Sequence, residues 1–204
     1  MTSATISKNQ SSLERSALLV ATLTSFMGPF MISSVNVALP AVQKEMQMDA
    51  VQLSWIATAY LLAVAVGLVP SGKIGDIYGR KKVFATGLAI YTIGSGAAIF
   101  ATSATFLIIT RVLQGLGASM FVSTGMAILT SVFPGKERGR VIGIYVAAVY
   151  IGLSAGPFFG GLLTQYFGWR SIFIVMLPLG LFSLLLTLQY LRGEWRGEEG
   201  QEFD

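Results

Sequence analysis

The chain has 204 residues, of which 53% are hydrophobic and only 12% are charged, with a net charge of +4. Soluble domains carry about 25% charged residues, so a chain this apolar cannot cover itself in water. The absence of cysteine and histidine excludes disulfides, thiol chemistry, imidazole bases and histidine proton relays, and leaves zinc catalysis without its usual ligands.

Residues 1–16 are polar and rich in Ser and Thr, and read as a disordered tail. The apolar run from Ala17 to Leu39 follows. It is far longer than the ~7–15 residues of a signal-peptide core, and so is the first membrane span. Gly28 and Pro29 predict a kink within it, and Pro40 predicts its end. The second span covers Leu53 to Ser71, with Trp55 and Tyr60 placed as interfacial aromatics near its start.

A short basic hairpin, GKIGDIYGRKKV from Gly72 to Val83, comes next, and the rest of the chain is organised around it. Gly72, Gly75 and Gly79 suit a sharp turn with closely approaching helix ends. Lys73, Arg80, Lys81 and Lys82 mark the turn as cytoplasmic, because juxtamembrane Lys and Arg stay on that side. The third span is Val83 to Ala101 and the fourth Phe106 to Phe133, joined by a tight uncharged turn. PGKERGR, from Pro134 to Arg140, is a second basic hairpin. The fifth span is Val141 to Tyr166, and the sixth is Ile172 to Leu191 after an outer turn at Gly168, Trp169 and Arg170. Residues 192–204 read as a charged cytoplasmic tail.

The expected fold is therefore an all-α membrane protein, with one six-helix bundle over residues 17–191. Of the fourteen Lys and Arg, eleven fall on the side of the two basic hairpins, and only Lys44 and Arg170 fall on the other. That bias predicts a multi-pass protein of the inner (plasma) membrane with both termini in the cytoplasm. The same distribution attributes the basic excess to topology and not to nucleic acid. No nucleophile with a base, phosphate loop or metal cluster is visible, so no enzyme activity and no cofactor is expected.

Three features within the spans stand out physically. Arg111 lies inside the fourth span, where a cation without partners costs roughly 2.5–3.5 kcal/mol or more. It must snorkel to the interface or find partners, and Gln114 shares its helix face at i+3. Ala148, Gly152, Gly156 and Gly160 recur every four positions in the fifth span, beside Pro157 and Gly161. A face this small admits another helix backbone to backbone. Asp76 lies four residues before Arg80, at the spacing of an ion pair.

Several of these stretches also match known motifs. The hairpin is similar to the G-x-L-a-D-r-x-G-r-k-x loop motif of the major facilitator superfamily, with Ile74 where Leu is usual. RVLQGLGAS, from Arg111 to Ser119, resembles that superfamily's fourth-span motif. GLSAGPFFGG, from Gly152 to Gly161, resembles its antiporter motif, and NVALP, from Asn36 to Pro40, resembles the end of the first span in its multidrug branch. The resemblance is nearest to the 14-span drug:proton antiporters and covers all six spans.

It implies one half of a major facilitator fold, itself a 3+3 inverted repeat, that completes a transporter with a second six-helix half. That half would be another copy, a separate subunit or a further stretch of chain. The implied activity is secondary transport of a small hydrophobic or amphipathic solute by proton-coupled alternating access, with the proton gradient as energy source. The implied roles follow position by position. Gly72, Gly75, Asp76, Gly79, Arg80 and Lys81 form a cytoplasmic gating motif in which Asp76 latches onto a helix of the other half. Arg111, Gln114, Asn36 and Tyr60 serve proton coupling or substrate. Gly152, Gly156, Pro157, Gly160 and Gly161 form a seam against the other half.

One position departs from the pattern. The first span of these antiporters usually carries an aspartate five residues before the asparagine, and Met31 stands there, with Ser33 in place of the usual threonine. The alternative reading is thus a nontransporting accessory subunit, or a truncated fragment, that keeps the fold.

Overall fold

Long apolar runs leave the backbone no water to bond with, so each closes its hydrogen bonds internally as a helix. The computed structural model describes residues 3–191 as six helices: α1 Ser3–Met46, α2 Ala50–Tyr78, α3 Arg80–Ile99, α4 Ala104–Val132, α5 Gly135–Phe167 and α6 Arg170–Tyr190. No strand occurs among the described residues. All six helices are long and apolar enough to cross a membrane. Residues 192–204, read as a charged tail, lie outside the described residues.

The helices run further than the apolar runs alone suggest. The stretch read as a disordered tail is helical from Ser3 onward. Once a helix is nucleated, each further polar residue costs only a few tenths of a kcal/mol and gains one backbone bond. Pro40 does not end α1, which continues to Met46 with both Pro29 and Pro40 inside it. Each proline deprives only the carbonyl four residues back of its partner, and Pro40 and Asn36 both lie on the exposed side of α1.

The two basic hairpins are likewise mostly helix. A single residue, Gly79, separates α2 from α3, and two residues, Phe133 and Pro134, separate α4 from α5. Gly79 takes φ 107°, and its N–H bonds back to the Gly75 carbonyl at 3.0 Å. Gly168 repeats this after α5, with φ 81° and an N–H bond to Thr164 at 3.1 Å. At the α1–α2 and α3–α4 turns, capping side chains set the helix starts. Asp49 accepts from the Gln52 amide at 2.7 Å, and Ser103 accepts from Phe106 at 3.3 Å.

Small residues decide which helices touch. On α5, a Cβ added at Gly152 would lie 2.6 Å from the Phe26 carbonyl oxygen, and one at Gly160 would lie 2.6 Å from the Ser34 Cα. α1 and α5 therefore pack in parallel and in close backbone contact, tied by hydrogen bonds from Ser25 Oγ to the Tyr145 carbonyl and from Ser34 Oγ to the Gly156 carbonyl. α2 and α4 form a second parallel pair, with Gly115 against Tyr60 and Ala63 and Ser119 against Ser71. α3 packs antiparallel on α4, where Gly117 meets Gly87 and Tyr91. α6 packs mainly on α3 and secondarily on α1.

This pairing has an internal symmetry. Exchanging the first three helices for the last three carries the pair α1/α5 onto α4/α2, and α3 onto α6. α1 and α4 cross in opposite senses, so the bundle is a 3+3 inverted repeat. The end carrying Gly79 holds the α2–α3 and α4–α5 turns. The end carrying Glu45 holds the other three turns.

Candidate functional site

Arg111 sits two turns into α4, and the structure answers its need for partners by enclosing it. Its side chain is 1% exposed, which excludes snorkelling to the interface. Nε donates to the Ile56 carbonyl of α2 at 3.2 Å, and Nη1 donates to Gln114 Oε1 at 2.7 Å. The guanidinium also lies 4.3 Å from the centroid of the Tyr60 ring, whose face carries partial negative charge.

From Gln114 the bonding continues into α3. Gln114 Nε2 donates to Ser95 Oγ at 2.7 Å, and Ser95 in turn donates to the Tyr91 carbonyl at 2.9 Å. Three helices are thus joined by one chain of hydrogen bonds around a fixed positive charge. All of the partners are neutral. Among the described residues the acids are Glu14, Glu45, Asp49, Asp76 and Glu137; Glu14 lies at the start of the apolar part of α1, and the other four lie at or next to a helix end. The Tyr91 hydroxyl is also buried here without a hydrogen-bond partner.

The sequence reading placed Arg111, Gln114, Tyr60 and Asn36 in one functional group, and the structure brings the first three together. Asn36 is exposed on α1 and takes no part in their hydrogen-bond chain. Tyr60 is no interfacial aromatic. It is 2% exposed beneath Arg111, because the face of α2 that carries it turns onto Gly115 of α4. Trp55 does remain exposed. Ser95 and Tyr91 had not been singled out. Their one sequence signal is the i, i+4 spacing of two hydrogen-bonding side chains in an otherwise apolar span. Met31 is fully buried in the apolar core, so that position packs the bundle and opens to no cavity.

At the Gly79 end, Asp76 is paired within its own bundle through Oδ1, with its side chain about one third exposed. Arg80 Nε donates to its Oδ1 at 2.8 Å, while Arg80 Nη1 reaches Ser131 Oγ at 2.9 Å and the Ala127 carbonyl at 3.4 Å on α4. Gly72 and Gly75 lie within α2 and make no turn. A Cβ at Gly75 would come 2.7 Å from Thr124 Cγ2, so that glycine serves helix packing. Lys81 is half-buried on the first turn of α3.

The expected seam against a second bundle is also reassigned. Gly152, Gly156 and Gly160 are buried against α1 of the same bundle, and Gly161 lies over Val37. A small-residue face admits whichever helix is adjacent, and α1 is that helix. Pro157, Phe158 and Phe159 stay exposed on α5, as do Leu153 and Ser154 one turn earlier.

Residues 21–202 match the sequence model of the Major Facilitator Superfamily. The chain is 39% identical over 197 residues to the multidrug resistance protein Stp of Mycobacterium tuberculosis, an alignment covering 94% of this chain and 36% of that protein. It is 34% identical over 187 residues to the riboflavin transporter RibZ of Clostridioides difficile, covering 92% and 41% respectively. It is 34% identical over 186 residues to the cephamycin export protein CmcT of Amycolatopsis lactamdurans, covering 91% and 38%. The chain thus spans about two fifths of the length of the curated relatives it matches.

Proposed function

We propose, from the fact that this chain belongs to the Major Facilitator Superfamily, that it is half of a secondary transporter exporting small hydrophobic or amphipathic solutes. A second six-helix half completes it, and alternating access driven by the proton gradient moves the solute. The observation that carries this reading is the enclosure of Arg111. A fixed cation held in a membrane span by Gln114, Ile56 and Tyr60 costs stability that simple packing does not require. Relatives named for drug, cephamycin and riboflavin transport support the solute class.

In this reading the membrane is the cell's inner (plasma) membrane, and the Gly79 end faces the cytoplasm. Arg15, Lys73, Arg80, Lys81, Lys82, Lys136, Arg138 and Arg140 gather at that end, against Lys44 and Arg170 at the other. Asp76 and Arg80 form the cytoplasmic latch, and Asn36 faces the solute path. The solutes are neutral or anionic amphiphiles, because no carboxylate at membrane depth among the described residues offers a cation its counter-charge.

The test is solute movement in proteoliposomes under an imposed pH gradient, with and without a second half. Gradient-driven movement that Arg111→Gln abolishes is expected. Gradient-independent behaviour in every combination would overturn the reading. A nontransporting accessory role is favoured by one observation, the apolar Met31 buried where the resemblance places an aspartate.

A further inference from the structure

The internal symmetry pairs the α2–α3 turn with the α5–α6 turn, and each delivers an arginine. Arg80 is the first residue of α3 and follows Gly79. Arg170 is the first residue of α6 and follows Gly168 and Trp169. Both glycines have positive φ and close the preceding helix with the same backbone bond. Arg80 reaches the last turns of α4, and Arg170 reaches the last turn of α1, the helix that the symmetry exchanges with α4.

The contacts of Arg170 are the more extensive. Nε donates to the Ile99 carbonyl at 3.0 Å, Nη2 donates to the Ala101 carbonyl at 2.7 Å, and Nη1 donates to Glu45 Oε1. The second Glu45 oxygen accepts from Trp169 Nε1 at 2.8 Å. Trp169 is 2% exposed and lies under the guanidinium, with 4.2 Å between Arg170 Cζ and the ring centroid. One side chain therefore joins the ends of α1 and α3 to the start of α6. The Arg170 and Glu45 side chains are 32% and 48% exposed, so their attraction is screened and their value lies in geometry. The rigid guanidinium fork spreads its donors over three nitrogens and so reaches three separated acceptors, whereas an ammonium offers its three donors from a single point.

We propose that Arg170 is a positioning residue that pins the end of α1 to the α3–α4 turn, as the counterpart, at the opposite membrane face, of Arg80. It matters because α1 travels with α5. Within the bundle α1 and α5 form one closely packed pair, while α2, α3 and α4 form another group. The polar tie at the Glu45 end fixes the angle between these two groups. Released, the α1/α5 pair splays at that end while remaining zipped along its own length.

The absence of native cysteine permits a direct measurement on the full chain in lipid nanodiscs. Spin labels at Lys44→Cys and Phe100→Cys report the distance from α1 to α3, and labels at Lys44→Cys and Tyr166→Cys report that from α1 to α5. With Arg170→Gln the first distribution should broaden about twofold while the second is unchanged, and the milder Arg170→Lys should broaden it less. The swap Glu45→Arg with Arg170→Glu restores opposite charges but cannot donate to Ile99 and Ala101, so the first distribution should stay broad. An unchanged first distribution in Arg170→Gln would overturn the proposal. So would equal broadening of both pairs, or recovery in the swap. The measurement does not depend on transport.

Discussion

Ser34 Oγ donates to the Gly156 carbonyl at 3.0 Å, joining positions 122 residues apart where α1 and α5 pack backbone to backbone. A side chain at Gly156 would meet the Phe30 carbonyl at 2.9 Å and crowd Ser33 as well. Gly156→Leu is expected to destabilise by about 1–3 kcal/mol or more through overpacking. Gly143→Ala, on the open face of the same helix with nothing within 4 Å, should be neutral or slightly stabilising. Thermal unfolding of the two variants in detergent checks the contrast, and equal melting temperatures would contradict close α1/α5 packing.

Arg111→Lys keeps the charge but replaces a fork by a single ammonium, which cannot reproduce the bonds to Ile56 and Gln114 or the contact with Tyr60. Solute flux is expected to fall at least about tenfold, corresponding to roughly 1.4 kcal/mol. Arg111→Gln should lower it further. Flux in proteoliposomes is the readout, and a Lys variant indistinguishable from the parent would remove the fork geometry from the mechanism.

For Asp76→Asn the two readings of the hairpin diverge. The ion pair with Arg80 is partly exposed, with side chains 34% and 21% accessible, so its loss should cost only about 0.3–0.5 kcal/mol of stability. As part of a latch, the same change should depress transport strongly. A near-native melting temperature with reduced flux is expected, and parental flux would reduce the pair to a surface contact.

Gly79→Ala puts a Cβ at φ 107°, a region left almost entirely to glycine, at about 1–3 kcal/mol. Gly72→Ala, inside α2 with its nearest neighbour Ser123 Cβ at 3.9 Å, should be tolerated. Melting temperatures again separate the two.

The six helices were legible from apolar length alone, because a bilayer core imposes ~20 residues on any span. So was the Arg111–Gln114 pair, since i and i+3 share a helix face whatever surrounds them. Partners across the bundle were not legible. The spacing of Gly152, Gly156 and Gly160 announces that something approaches closely, but nothing local names α1 as the neighbour, and the expected second bundle was the wrong one for that face. Tyr60 misled for a related reason. Aromatics near a span end are interfacial only if their face of the helix meets lipid, and here it meets Gly115. The glycine-rich hairpin looked like a loop by composition, yet only Gly79 departs from helical geometry among Gly72, Gly75 and Gly79. Close packing, and not turning, accounts for Gly75.

The one-residue joint at Gly79 leaves no slack between α2 and α3. A lengthening of that connection by a flexible insert would act as a mechanical fuse: tilt of one helix would dissipate in the added chain instead of levering the next. With a single residue between them, a tilt of α2 is handed directly to α3.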